Sequence, residues 1–572
     1  LLSISETHLL IFNTLIMSQK EFKQIKETDV LVIGGGLAGC MAALHAHQEG
    51  AKVVIVEKAN VRRSGGAGTG NDHYGGIIIP GLSKWAAEDL VRDHTELAFG
   101  FVNQDLIYAM ASEGFERVKD LEKMGVEFYK KDGQYYLFPQ LHKVRSAIYM
   151  DGRDIKPKLT RELHRRKIPV LNRMMIVDLL VRNGRMAGAI GMNTRDGSLT
   201  LFKTKSVVLT TGACFRLFMN ITGVLMNTYY PPSSTGDGLA MALRAGAALT
   251  NMEGTNAIRG PKNLQRAGSG TYWPAKTVDA QGIPLDYPFP GESYYRWPAF
   301  TAGWTRARVQ EGKIRMPVFR DTTALSSEEV EFVEWGLRQE GGCWILLEWM
   351  KEHGKDFRTH LMEDDVYERR VSGGSGLFVD GQCQTTLSGL FAAGEVIAGL
   401  PWGAGPGAIT LGWKAGGNAA RHAKRVSTHG PITDSIDPIL ERIKKHRPKG
   451  KDQWPDANLA LQKLMSSYMG DIRSEEGLQV GLYRLQELVE EWRMTAPHAH
   501  ELMRCLEIEN LSTIAKACLT AALERRASSH YHLHFRVDHP QWDPPEWKKW
   551  ILVRQLGDQI QVEHRPIEYR YI

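Results

Sequence analysis

Residues 29–58, DVLVIGGGLAGCMAALHAHQEGAKVVIVEK, restrict the fold more than any other stretch of the chain. Asp29–Ile33 reads as a buried strand and Lys52–Val56 as a second one. Ala38–Glu49 reads as a helix whose Ala42, Ala43 and Ala46 are small enough to pack on a sheet. Gly34, Gly36 and Gly39 between strand and helix form GxGxxG. Gly34 permits the tight turn, Gly36 lets the backbone approach a pyrophosphate, and Gly39 lets helix and strand pack closely. Leu37 and Ala38 are candidate contacts where the turn meets the helix, whose free N–H groups and positive dipole face phosphate oxygens. Glu57 follows the second strand, eighteen residues after Gly39, where a carboxylate accepts a ribose hydroxyl; Lys58 stands beside it. Strand, glycine turn, helix, strand and acid in that order specify an α/β dinucleotide site.

Later segments favour FAD over a nicotinamide dinucleotide. RRSGGAGTG (62–70) supplies a second glycine-rich loop, with Ser64, Gly65 and Gly66 as candidate contacts. SVVLTTGA (206–213) reads as a strand ending at Thr211 and Gly212, and LSGLFAAGE (387–395) as one ending at Gly394 and Glu395. After Glu395 come eighteen residues without a charge, through Trp413, broken by Pro401 and Pro406. There Pro406-Gly407 precedes an expected short helix, Ala408–Ala415, with Gly407, Ala408 and Ile409 at its start as candidate cofactor contacts.

The 572 residues exceed one ordinary core, so two to four domains are expected. With 43% hydrophobic and 24% charged residues the composition is globular, and the net charge of +6 is spread without a basic block that would imply nucleic acid. Six cysteines without a CxxC pair argue against zinc or an iron–sulfur cluster in this chain and fit a reducing compartment. No apolar run approaches the ~20 residues of a membrane helix. Residues 1–16 do not read as a signal peptide, and Met17 is the expected natural start. Leu478, Leu482, Leu485, Val489 and Trp492 lie at helical spacing, and WILVRQLGDQIQVEHRPI reads as two strands around Gly557-Asp558.

GxGxxG…E, TTGA, the TGDG of YPPSSTGDGLAMALRAGAAL (230–249) and GLFAAGE in this order resemble the FAD-binding flavoprotein subunits of fumarate reductase, succinate dehydrogenase and adenylylsulfate reductase. GRDIKPKLTRE (152–162) and RSGGAGTG are similar to the adenylylsulfate reductase branch. The resemblance implies an FAD contact from Asp237. It also implies an α/β, Rossmann-like FAD-binding domain with an inserted α+β capping domain and a C-terminal helical domain. The implied division is an N-terminal extension at 1–27, the FAD-binding domain at 28–250 and 371–427, the cap at 251–370, and the helical domain and tail at 428–572. The implied activity is that of a cytoplasmic FAD-dependent oxidoreductase subunit, moving two electrons between flavin and a small substrate under the cap. A separate iron–sulfur or similar subunit would relay the electrons. The alternatives are an adenylylsulfate reductase-like or fumarate reductase/succinate dehydrogenase-like activity, a self-contained oxidase or dehydrogenase with a soluble acceptor, and a non-catalytic relay or assembly subunit.

Departures from the family pattern carry their own expectations. Gly65 stands where relatives with covalent FAD have histidine, so FAD is expected to be non-covalent. The strings HPTG and RGEGG are absent, the family histidine falls at about Val371, and the arginine of the flavin loop falls at about Pro406. Losing these cationic groups removes most of a dicarboxylate clamp, so the expected substrate is neither fumarate nor succinate, and adenylylsulfate is disfavoured by the same comparison. Arg259, Lys262 and Arg266 of AIRGPKNLQRAGSGTYW (257–273) are candidate replacements, two of them, Arg259 and Arg266, for proton delivery. Tyr272, Trp273, Arg370 and Trp402 are candidate substrate contacts, and His73 a candidate catalytic residue.

Overall fold

The computed structural model describes residues 21–139, 144–262, 264, 275–285, 305, 308–339, 343–426, 436–446, 453–557 and 559–571, with Pro139 and Arg259 described for their backbone only. Strand β1 (Phe22–Ile33), helix α1 (Leu37–Gln48) and strand β2 (Val53–Glu57) follow the expected order. β1 begins seven residues before the Asp29 expected from hydrophobicity, because its polar first half pairs with Leu199–Lys203. Helix α2 (Ile155–Arg165) leads to β3 (Val170–Asn172), β4 (Met174–Arg182), β5 (Arg185–Asn193) and β6 (Leu199–Leu209). Helix α3 (Asp237–Arg244) opens on the TGDG segment.

A second sheet is built from β7 (Asn256–Pro261), β8 (Lys276–Val278), β9 (Val318–Asp321) and β10 (Met362–Arg370), in the order β7-β10-β9-β8. The chain then returns to the first sheet through β11 (Leu390–Ala392), which pairs in parallel with Val207–Leu209. That sheet has seven strands, ordered β4-β5-β6-β1-β2-β3 with β11 against the end of β6. The C-terminal ends of β1, β2, β6 and β11 thus meet on one edge, where ligands of open α/β sheets bind.

Helix α4 spans Ala404–Arg425, beginning four residues before the expected Ala408 and running ten beyond Ala415. Its glycines are packing contacts, not breaks. A Cβ on Gly412 would lie 2.4 Å from the Ala38 carbonyl oxygen, and one on Gly416 2.0 Å from that of Ala42. The backbones of α1 and α4 therefore touch, which is why α1 is buried on nearly every side.

Further on, α5 (Glu475–Glu491) carries the expected apolar spacing, but only Leu478 and Leu485 of that set are buried and Val489 is exposed. Helix α6 (Ala499–Glu524) is buried along its length. β12 (Lys549–Leu556) and β13 (Gln559–Pro566) form the expected hairpin. No helix among the described residues is long and apolar enough to cross a membrane, and all six cysteines are free and buried.

Candidate FAD site

The strand ends open onto a cavity of about 620 Å3. Gly34, Gly36, Leu37, Ala38, Glu57 and Lys58 line it from the first βαβ unit. Ser64, Gly65 and Gly66 line it from the second glycine loop; Thr211, Gly212 and Asp237 come from the segments after β6. Gly394, Glu395 and Ala408 close it from the β11–α4 side. Gly39, Gly407 and Ile409 do not line it. Gly39 serves packing, since a Cβ there would sit 1.9 Å from the Gly34 carbonyl oxygen. Gly407 packs on Leu400 and Ile409 is fully buried, because α4 starts earlier than the sequence suggested.

The glycine turn is held by hydrogen bonds at successive peptides. Glu57 accepts from the Gly35 N–H at 2.6 Å and from the Ala59 N–H at 2.7 Å, one on each oxygen. A carboxylate has about four acceptor positions, so two remain for ribose hydroxyls. The Thr210 hydroxyl donates to the Gly34 carbonyl at 2.7 Å. A Cβ on Gly36 would meet only the Cα of Gly65, at 3.9 Å, so the two glycine loops leave a shallow cradle between them. The Thr211 hydroxyl and the Arg370 Nε and Nη1 are buried without a hydrogen-bond partner, and both residues line the cavity. Open cradle, free helix N-terminus and unsatisfied donors are what a pyrophosphate-bearing dinucleotide requires, and the residues present fit FAD.

Lys58 points into the protein's own charge network. Its ammonium bonds Asp237 at 2.6 Å, Glu507 of α6 at 2.8 Å and the Thr235 hydroxyl at 3.3 Å. Burial alone would pull its pKa down; Asp237 and Glu507 outweigh burial and hold it above the ordinary lysine value. Asp237 is also bonded by the Asn510 amide at 2.8 Å and by the Thr235 hydroxyl at 3.1 Å. These two side chains therefore tie the site to α6 before either can meet a cofactor.

Among the candidate catalytic and substrate residues, His73, Arg370 and Trp402 line the same cavity. His73 is buried, its Nδ1 2.7 Å from Asp72 Oδ1. Arg370 lies with its guanidinium 5.4 Å from the Phe215 ring and 5.1 Å from the Tyr230 ring, and Nη1 is 3.7 Å from Glu395 Oε1. Trp402 precedes α4 at φ +57° and meets His94 edge-on at 5.9 Å. Lys262 corrects an expectation: it is exposed, pairs with Glu363 at 2.7 Å and is not among the residues lining the cavity. It sits just beyond the end of β7, opposite the acidic β10. Arg266, Tyr272, Trp273 and the Arg259 side chain lie outside the described residues. Val371, at the position of the family histidine, is fully buried and exchanges backbone hydrogen bonds with Cys214.

Sequence reasoning missed Phe215, Tyr229 and Tyr230, all of which line the cavity. A signal for the two tyrosines was present: a Tyr-Tyr pair directly before Pro-Pro and the TGDG turn.

Two family profiles match: the FAD binding domain over residues 29–276, and the fumarate reductase flavoprotein C-terminal region over 458–572, together more than half of the chain. The chain is 26% identical to a fumarate reductase (CoM/CoB) polypeptide of Methanothermobacter marburgensis, over 93% of this chain and 98% of that protein. It is 25% identical to the L-aspartate oxidase of Streptomyces coelicolor, over 94% and 93%. In fold it resembles the adenylylsulfate reductase of Archaeoglobus fulgidus, with a TM-score of 0.84 and 23% identity over 97% of this chain and 98% of that one. The chain belongs to the FAD-binding flavoprotein family of fumarate reductase and succinate dehydrogenase, and is an FAD-dependent oxidoreductase.

Proposed function

We propose that this flavoprotein moves two electrons between non-covalent FAD and a small anionic substrate bound at Arg370. The observation that carries the reading is Arg370 itself. It is a buried guanidinium on the cavity wall, flanked by two aromatic rings, with Nε and Nη1 unsatisfied by hydrogen bonds. Leaving such donors buried and unbonded is costly, and a carboxylate or similar oxyanion relieves it with charge-assisted bonds. Phe215 and Tyr230 limit how far the guanidinium swings, so the anion is met in a narrow range of orientations. Bound FAD supplies hydride chemistry at one face of its ring; the protein supplies orientation, charge and any proton. His73, buried beside Asp72, is a group able to hold a proton at the cavity.

The family resemblance supports a separate electron-transfer partner, an iron–sulfur or similar protein, and a cytoplasmic setting. Gly65, in place of the histidine of covalent relatives, supports a flavin released intact by acid precipitation.

Steady-state turnover of wild type and Arg370→Met with a panel of small carboxylates and oxyanions tests the proposal. Loss of most activity, with KM raised at least about tenfold, is expected for the variant while the flavin spectrum stays unchanged. A photoreduced enzyme that is reoxidised only by protein or quinone acceptors would instead mark an electron relay and sink the substrate reading.

A further inference from the structure

A second buried cation stands behind the cofactor cavity. Lys156, at the second position of α2, is completely buried. Its ammonium donates a short hydrogen bond to the Gly35 carbonyl and lies 3.2 Å from the Cys40 sulfur. No carboxylate stands in salt-bridge range of it among the described residues. Removing an ammonium from water without a counterion is expensive, so an ordinary fold would not retain one there.

The Gly35–Gly36 peptide explains why it is retained. The same carbonyl also accepts from the Ser64 hydroxyl at 3.2 Å and from the Cys40 thiol at 3.4 Å. A trans peptide points its carbonyl and its N–H in opposite directions. With the Gly35 oxygen pulled toward Lys156, the Gly36 N–H is turned the other way. Gly36 lines the cavity and Lys156 does not. Gly36 is the cap residue of α1, so its N–H has no acceptor within the helix. A cation on the carbonyl also polarises the peptide and strengthens its N–H as a donor.

We propose that Lys156 is a cofactor-positioning residue whose counterion is the dinucleotide pyrophosphate, acting on it through the Gly35–Gly36 peptide. In the flavin-free protein the buried charge is uncompensated; in the loaded protein phosphate oxygens across one peptide layer offset it. The proposal rests on FAD occupying the cavity.

Two signs follow that a merely structural lysine would not give together. FAD release from the purified holoprotein, followed as the rise in flavin fluorescence on dilution, is expected to be at least tenfold faster in Lys156→Met. The deflavinated variant is expected to melt at or above the wild-type Tm, because an uncompensated buried charge has been removed. Lys156→Arg, which keeps the cation, is expected to recover much of the slow release, and Lys156→Gln serves if the Met variant does not fold. Release within threefold of wild type, or a deflavinated Tm that falls as far as the holoprotein Tm, would overturn the proposal. Wild-type protein purified without flavin would instead remove the FAD reading on which it stands.

Discussion

Gly39 shows how narrowly a single residue is constrained here. A methyl group at that position would overlap the Gly34 carbonyl oxygen at 1.9 Å, and backbone cannot yield as a side-chain tip would. Gly39→Ala is therefore expected to open the βα turn and weaken flavin retention by about tenfold or more, read as flavin per protein after gel filtration. This residue was legible from spacing alone, and so was Glu57, because both act within one βαβ unit. Lys58 was legible as a position but not as a role. Its partners Asp237 and Glu507 come from far along the chain, and nothing local announces that its ammonium is already engaged. Arg370 was legible only as one of two adjacent arginines. Arg369 turns to Asp471 while Arg370 turns to the cavity, a division set by the alternation of β10.

At the scale of elements, the helix after β11 is the instructive case. Its glycines and Pro406 read as breakers, so only the short piece 408–415 was expected. The helix instead runs from Ala404 to Arg425, because the same glycines let it press against α1. Intrinsic propensity was overridden by packing, which a single sequence does not display. Gly416→Val is expected to destabilise the protein by about 1–3 kcal/mol or more through overpacking against Ala42, measured as a lower urea midpoint. Flavin release should accelerate in the same variant, since α1 also carries the N–H groups at the cavity. Equal stability of variant and wild type would show that α1 and α4 can separate without cost.

At the scale of the molecule, α6 is joined to the nucleotide-binding sheet by a buried charge cluster. Glu507 bonds Lys58, Arg216 at 2.7 Å and Arg504 at 2.7 Å, and its side chain is fully buried. Burial would raise its pKa; Lys58, Arg216 and Arg504 outweigh burial and bring it from 4.5 to about 2. A carboxyl held below its unfolded value contributes stability that is complete above pH 4.5 and is lost as the pH falls toward about 2. Glu507→Gln is expected to cost about 3–5 kcal/mol at neutral pH, because three cations lose their shared anion. The gap to wild type should narrow between pH 4.5 and 2 in urea unfolding; a gap independent of pH would show that the carboxylate charge contributes nothing.

The Glu507 cluster also bears on how the chain is made. Arg216 is sealed from solvent, and the carboxylate that neutralises it lies 291 residues further on. At about 5–20 residues per second, that anion leaves the ribosome roughly 15–60 s after the arginine does. During that interval the nascent nucleotide-binding sheet has a guanidinium it cannot bury. A polypeptide ending before α6 is accordingly expected to emerge aggregation-prone and without flavin, and to recover when residues 453–572 are co-expressed as a second chain; a soluble, yellow N-terminal fragment on its own would refute this.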